Sequence, residues 1–448
     1  MRSDLMSGPR QSRDDEGTHI PAPAADRSGH GAAAALEPLL IHVFGGAAPV
    51  RFEFWDGTSS GPEGEHVLEV RSPDAVRRLL WSPGELGLAR AFVEGDLTFR
   101  GDIFEMLTLL HAAAPASVRT GTRLPLQAMR AAYRLGALGR PLPPPPEEAI
   151  TRGRLHSRSR DAQAVHHHYD VSNDFYAMVL GPSMTYSCAR FTPGADTLEA
   201  AQESKHDLIC RKLGLPEARG SRVLDVGCGW GTFALHAARR YGGRVVGVTL
   251  SPAQASFARD AVAAAGLTGQ VEIRLQDYRD VRDGPFDGIA SVGMFEHVGS
   301  ANASEYFGTM RRLLGPRGRL LNHAISSVGG SRIGPRSFIG RYVFPDGELI
   351  DVGQVVVAME EAGFEVRDVE SLREHYARTL HCWVRNLEQH WDAAVAEVGV
   401  RRARVWQLYM AGSANGFDDG GISVHQVLGI VPEPDGRSGM PATRSGWG

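Results

Sequence analysis

Arg222-Val-Leu-Asp-Val-Gly-Cys-Gly-Trp-Gly231 is the stretch on which the fold of this 448-residue chain turns. Val223, Leu224 and Val226 form a short apolar run, the mark of a strand buried on both faces. Gly227, Gly229 and Gly231 follow at once, and Thr232 to Arg240 then has the apolar spacing of a helix. A glycine turn between strand and helix lets a ligand approach the backbone where helix N–H groups point outward. NAD and nucleotide sites use the same device. Here the spacing is Asp-x-Gly-x-Gly-x-Gly, with neither the Lys-Ser/Thr of a phosphate loop nor G-x-G-x-x-G. The plain alternative is a tight turn that only packs helix on strand.

Working outward, strand and helix patterns alternate from about residue 150. Val223–Val226 is the expected first strand, Arg244–Val248 the second, Val271–Leu275 the third, Gly288–Val292 the fourth and Arg319–Ala324 the fifth. Such alternation predicts an α/β fold with a doubly wound, mostly parallel sheet. Ligands of such sheets bind at the carboxyl ends of the strands, near the switch point.

Upstream, residues 36–116 read as a smaller α+β domain. Val50–Trp55 alternates like a strand, Val67–Val70 reads as a second, and Ser72–Leu80 starts a helix with a cap and a proline at its first position. Residues 1–35 and 431–448 lack periodicity and are expected to be disordered. Residues 117–150 contain five arginines, Arg119, Arg123, Arg130, Arg134 and Arg140, and no acidic residue before Glu147. Leu124, Leu126, Met129, Tyr133, Leu135 and Leu138 are interleaved with them. Such a segment either lies in the interface of an anionic bilayer or packs on its own domain as a solvated helix. Five prolines in 141–146 then mark a stiff spacer and a domain boundary.

Bulk properties narrow the function. A net charge of −4 argues against a nucleic-acid partner. Cys188, Cys210, Cys228 and Cys382 have no metal-like spacing and no secretory context, so reduced thiols in a cytosolic protein are expected. No apolar run reaches the ~18 residues of a membrane span. Only Lys205 and Lys212 are lysines, which reads as codon bias in an arginine-rich chain.

The glycine spacing resembles the S-adenosylmethionine (SAM) site of class I methyltransferases. Most of these place an acidic residue after the second strand; this chain has Thr249 and Gln254, which offer hydroxyl and amide groups without charge. Asp277, after the third strand, is suited to accept a hydrogen bond from the adenine amine. A helix cap and a turn residue are the ordinary readings of Thr249 and Asp277. Their coincidence at consecutive strand ends favours the cofactor.

That departure, with His168–Tyr176, Met184-Thr-Tyr-Ser-Cys188, Gly293-Met-Phe-Glu-His-Val-Gly299, Arg341–Gly347, Trp406–Gly412 and Gly421–Gln426, resembles the cyclopropane-fatty-acyl-phospholipid synthases and the mycolic acid cyclopropane synthases. The resemblance covers about residues 160–428, so 151–430 is expected to be the SAM-dependent catalytic domain and 36–116 a lipid-associated domain. It implies transfer of a methylene group to cis double bonds of phospholipid acyl chains. It places Tyr186, Ser187, Asp225, Gly227, Gly229, Gly231, Thr249, Gln254, Asp277 and Tyr278 around SAM. It also implies a bound bicarbonate as base, held by Cys188, Glu296, His323, Ile325 (through its backbone) and Tyr376. The implied partner is a phospholipid bilayer surface, met from the cytoplasm as a peripheral protein, and a homodimer is left open.

An unactivated alkene is a weak nucleophile, so the chemistry demands positioning, a dry pocket and cation stabilisation. Phe295, Tyr306, Tyr342, Phe344 and Trp383 are candidate rings for the cation, with ordinary core packing the expectation for at least half. Cys188 as a nucleophile would need a paired base; His297 reads as structural, and the His166–His168 run as no metal site. Several family members carry cysteine where this chain has Ser413, so a cysteine there cannot be the essential nucleophile unless this enzyme is inactive. Branched-chain formation from the same cation, heteroatom methylation of a small molecule, and a non-catalytic lipid-binding protein are the alternatives.

Overall fold

A computed structural model describes residues 31–113, 126–149, 171–334 and 336–447, with 157, 158, 160, 161 and 163 between them. Residues 1–30, Arg119, Arg123, Leu124 and the His166–His168 run lie outside the described residues.

The C-terminal half is built on a seven-stranded sheet. Its strands are β5 (Arg222–Val226), β6 (Arg244–Thr249), β7 (Val271–Leu275), β8 (Phe286–Val292), β9 (Leu314–Ser327), β10 (Glu365–Ser371) and β11 (Ile422–Ile430), in the order β10-β11-β9-β8-β5-β6-β7. Strands β5 to β9 pair in parallel, whereas β11 is antiparallel to both β9 and β10. The five expected strands are therefore present, and β10 and β11 extend them at one edge. Val223, Leu224 and Val226 are all fully buried because helices cover both faces of β5. Strand order reverses at β5, with β6 on one side and β8 on the other. A crevice at their carboxyl ends follows from that switch.

A smaller sheet forms the N-terminal domain: β1 (Arg51–Phe54), β2 (Ser59–Ser60), β3 (Val67–Val70) and β4 (Leu97–Arg100), in the order β2-β1-β3-β4. Phe52 and Phe54 alternate inward on β1. Ser72 caps the helix Pro73–Trp81, its hydroxyl accepting the Asp74 amide at 3.0 Å.

Two expectations of disorder are corrected. A helix, Ala32–Phe44, begins inside the N-terminal segment; Ala32 is buried and its amide donates to Asp56 Oδ2 at 2.6 Å. At the other end, residues 431–447 pack on the sheet. Val431 extends the backbone pairing to Gly318, Trp447 is buried, and Arg444 pairs with the buried Asp368 at 2.7 Å. The Gly-, Pro- and Ser-rich composition of both segments concealed these few anchors, because one well-placed aromatic or ion pair carries no periodicity.

The helix Leu126–Arg134 satisfies the packing alternative: Ala131 and Ala132 are buried against the N-terminal domain. Its other side keeps Met129, Arg130, Tyr133 and Arg134 exposed. The proline segment runs along the helix Pro73–Trp81, with Arg78 donating to Pro143 O and Trp81 to Gly139 O. Beyond it, Glu148 receives a bidentate Arg90 at 2.8 and 2.9 Å and stands 3.4 Å from the Tyr342 hydroxyl. One buried carboxylate thus joins the two domains.

Candidate active site

The crevice at the β5 switch point is a pocket lined by Tyr186, Ser187, Asp225, Gly227, Gly229, Thr249, Gln254, Asp277 and Tyr278, all expected from the sequence. Each arrives there for a local reason. Gly227 (φ 74°) leaves β5 in the left-handed region, and a Cβ on it would lie 2.9 Å from Met294 Cγ. Its amide and that of Cys228 both donate to Val248 O at 3.0 Å, lashing the glycine loop to β6. Around Gly229 a Cβ would meet nothing within 4 Å, so backbone faces open pocket. Gly231 is different: it does not line the pocket, and its Cβ would lie 3.0 Å from that of Ala258. Its place is helix packing.

Thr249 donates to Gln254 Oε1 at 2.8 Å, while Ser251 caps the following helix, Pro252–Ala264. The helix cap is thus Ser251, and Thr249 is left facing the pocket. Asp277 is gripped by Arg279, whose Nε and Nη2 donate at 2.9 and 2.7 Å. Burial works to raise its pKa, and the Arg279 hydrogen bonds outweigh that, holding the carboxyl below its ordinary range. It stays an acceptor. Asp225 ends β5 fully enclosed; burial pushes its pKa up to about 7, and its Oδ2 has no hydrogen-bond partner. An orphaned buried carboxylate beside an open glycine loop fits a ligand with an ammonium group, as SAM has.

None of the five residues assigned to the anion lines this pocket, and among them Glu296 and Ile325 touch directly. Strand alternation places His323 and Ile325 of β9 on one face. Ile325 N donates to Glu296 Oε1 at 2.7 Å, while the buried Glu296 Oε2 has no partner. Burial pushes Glu296 up to about 7. His323 shares Nδ1 with Gln426 at 3.2 Å, and its Nε2 is buried without a partner. Burial holds this imidazole well below its ordinary pKa, so it is neutral. A backbone relay brings in the other two. Val424 pairs with Ile325 and accepts the Leu372 amide; Leu372 O accepts the Tyr376 amide at 3.0 Å and the Cys188 thiol at 3.6 Å. Burial raises the Cys188 pKa, so the residue is a thiol and a poor nucleophile.

Tyr186 connects pocket and depth. Its ring lies 5.8 Å from Tyr176, 5.2 Å from Trp383 and 5.8 Å from Trp406, and its hydroxyl is 2.9 Å from that of Tyr409. Of the proposed cation-facing rings, Trp383 and Phe344 belong to this aromatic wall, Phe344 standing 5.7 Å from Tyr409. Phe295 and Tyr306 pack instead with Phe307 in the other core, and Tyr342 serves the Glu148 junction. His297, read as structural, lines the cofactor pocket and packs on Phe344.

Sequence reasoning missed Gln202, Lys205 and His206. They lie on one face of the helix Leu198–Lys212, all buried. Gln202 donates to Ser187 O at 2.8 Å, Lys205 to Ser187 Oγ at 2.8 Å, and His206 contacts Thr185 Oγ1 at 3.3 Å. Polar residues at i, i+3 and i+4 within an apolar stripe were the available signal.

The sequence profile described as mycolic acid cyclopropane synthetase matches residues 156–427. A probable fatty acid methyltransferase of Mycobacterium tuberculosis is 44% identical over 417 residues, 90% of this chain and 96% of that protein. The cyclopropane-fatty-acyl-phospholipid synthase of Escherichia coli K12 is 38% identical over 365 residues, 81% of this chain and 87% of that protein. A solved mycolic acid cyclopropane synthase complexed with S-adenosylhomocysteine (SAH) and CTAB matches with a TM-score of 0.57 and 34% identity, over 60% of this chain and 98% of that chain. Pocket, glycine loop and relatives agree: the chain belongs to the mycolic acid cyclopropane synthetase family and is a SAM-dependent lipid methyltransferase.

Proposed function

We propose that the protein adds a methylene group from SAM across cis double bonds of phospholipid acyl chains, forming cyclopropane fatty acids. The observation that carries this reading is the pair of buried, unpartnered acceptor and imidazole atoms, Glu296 Oε2 and His323 Nε2, on neighbouring structural elements. Buried polar atoms without partners call for an explanation, and a bound polar group between these two supplies one.

SAM, when bound, supplies an electrophilic methyl group on a sulfonium. Tyr186, Trp383, Trp406, Tyr409 and Phe344 wall off water beside it. Their ring faces offer negative quadrupole density without a lone pair, so a carbocation on the acyl chain is stabilised and not captured. Bicarbonate, held by Cys188, Glu296, His323, Ile325 and Tyr376, would supply the base that removes a proton from the transferred methyl. Glu296 in its ionised form accepts a hydrogen bond there through Oε2, while Ile325 N fixes Oε1. His323 Nε2 and the Tyr376 hydroxyl complete the polar surroundings, and the Cys188 thiol is a weak donor.

The 44% identical relative carries the name fatty acid methyltransferase, which favours a second reading, methyl- or methylene-branched chains from the same cation. The exposed Met129, Tyr133 and Leu138 with Arg130, Arg134 and Arg140 support docking on an anionic bilayer from one side. Among the described residues no helix is long and apolar enough to cross a membrane.

Expression in a bacterium lacking its own synthase, followed by mass spectrometry and proton NMR of its fatty acids, tests the proposal. One added CH₂, a lost alkene signal and cyclopropyl resonances are expected. A gained methyl or exomethylene resonance would establish the branching reading, and unaltered lipids would remove both.

A further inference from the structure

Of the 48 Lys and Arg residues only Lys205 and Lys212 are lysines, and both are 1% exposed. Lys212 is neutralised by Asp368 at 2.8 Å and by Glu370. Lys205 has no ion pair among the described residues; its Nζ donates once, to Ser187 Oγ at 2.8 Å. An ammonium has three donors, and burying one with a single neutral partner is costly. This one lies in the wall of the pocket that Ser187, Asp225 and Gly227 also line.

The titratable groups that face it are Asp225 on β5, Cys188 on the 184–189 segment, His206 on its own helix and His323 on β9. Burial keeps the Cys188 thiol protonated and both imidazoles neutral. What remains is one amine and one carboxyl side chain, fixed in the same wall without a mutual ion pair. That arrangement complements an amino-acid zwitterion.

We propose that Lys205 is the positioning residue for the α-carboxylate of SAM: with the Ser187 hydroxyl it takes the carboxylate of the methionine moiety, opposite Asp225 and the α-ammonium. The assignment rests on the SAM site alone and is independent of whether the product is a ring or a branch.

Burial draws Lys205 down to about 7 and pushes Asp225 up to about 7, so each loses charge near neutrality in the empty site. A zwitterionic ligand recharges both. Above pH 7 binding therefore takes up a proton at Lys205, and below pH 7 it releases one from Asp225.

Isothermal titration calorimetry of the full chain, in two buffers of different ionisation enthalpy, tests this. The probes are SAH and 5′-methylthioadenosine, which keeps the nucleoside and thioether but lacks the amino-acid group. At pH 8 wild-type protein takes up a proton with SAH and none with methylthioadenosine. Lys205→Met weakens SAH about 10- to 100-fold, leaves methylthioadenosine unchanged and abolishes the uptake. Equal weakening of both probes overturns the proposal and leaves Lys205 a loop-shaping residue. Unchanged SAH affinity with loss of bicarbonate stimulation assigns the ammonium to the inorganic anion and also overturns it. If Lys205→Met does not fold, the same comparison is made with Lys205→Gln, where equal weakening of SAH and methylthioadenosine again overturns the proposal.

Discussion

Ile325 N donates to Glu296 Oε1 at 2.7 Å, so the backbone of β9 locks one carboxylate oxygen while the other stays buried and unpartnered. The side chain after β8 is thereby oriented by a different strand, and that cross-strand lock is the centre of the proposed chemistry.

Glu296→Gln keeps the shape and removes the charge. Turnover is expected to fall about 10²- to 10⁴-fold, the usual worth of a positioned acid–base group, with SAH affinity unchanged. Because burial sets Glu296 at about 7 and the ionised form is the acceptor, wild-type kcat at saturating SAM rises as pH passes through 7. That limb should vanish in the variant. Full activity of Glu296→Gln across the range would dismiss the assignment.

Stability should follow the same groups with the sign that linkage dictates. Folded Asp225 and Glu296 hold protons from the ordinary carboxylate range up to about pH 7, so their contribution falls as pH rises through that window. Lys205, lowered to about 7, binds fewer protons folded than unfolded above that pH, so its contribution has the opposite sign and rises from there to the ordinary lysine range. Removing the charge with Glu296→Gln is expected to raise Tm at pH 8 relative to pH 5, by on the order of 1–3 kcal/mol of stability. Thermal melts of both proteins at the two pH values give the comparison.

The Tyr186–Tyr409 hydroxyl pair, 2.9 Å apart, invites a double-mutant cycle. Either Tyr→Phe change alone removes this hydroxyl–hydroxyl contact and should cost about 1–2 kcal/mol; the double change should cost less than the sum. Denaturant midpoints report it, and strict additivity would mean the hydroxyls do not interact.

Two glycines of one motif should behave differently. Gly231→Ala sets a Cβ against Ala258 at φ 80° and should destabilise by about 1–3 kcal/mol. Gly229→Ala, at φ 54° with open space around its Cβ, should cost only the left-handed backbone strain, about 1–2 kcal/mol, and bind SAH more weakly. Equal SAH affinity in both variants would place the nucleotide elsewhere.

Arg130, Arg134 and Arg140 are exposed beside Met129 and Tyr133. Replacing the three by glutamate should reduce sedimentation with phosphatidylglycerol vesicles by at least about tenfold, since each surface charge is worth about 1 kcal/mol near an anionic membrane. SAH affinity should not change. Undiminished sedimentation would locate the lipid surface on another face.

Much of this architecture is legible in the chain alone. Val223, Leu224 and Val226 followed by three glycines announce the first strand and the switch-point loop, because period and backbone permissiveness are local properties. Thr249, Gln254 and Asp277 can be placed near a ligand by counting strand ends. What local pattern does not contain is who stands opposite whom. Arg279 gripping Asp277, Gly231 turned into the helix packing, Phe295 and Tyr306 assigned to the far core, and Trp447 anchoring the tail each depend on residues distant in the chain.

The sequence by itself determined the doubly wound sheet, the position of its crevice and the residue types available there, since strand period, glycine turns and caps are set within a few neighbours. Only the tertiary structure decided that Lys205 reaches the cofactor wall and that Glu296 is held by Ile325. Burial and unpartnered charge are properties of a packed interior, where the surroundings come from several strands and helices at once.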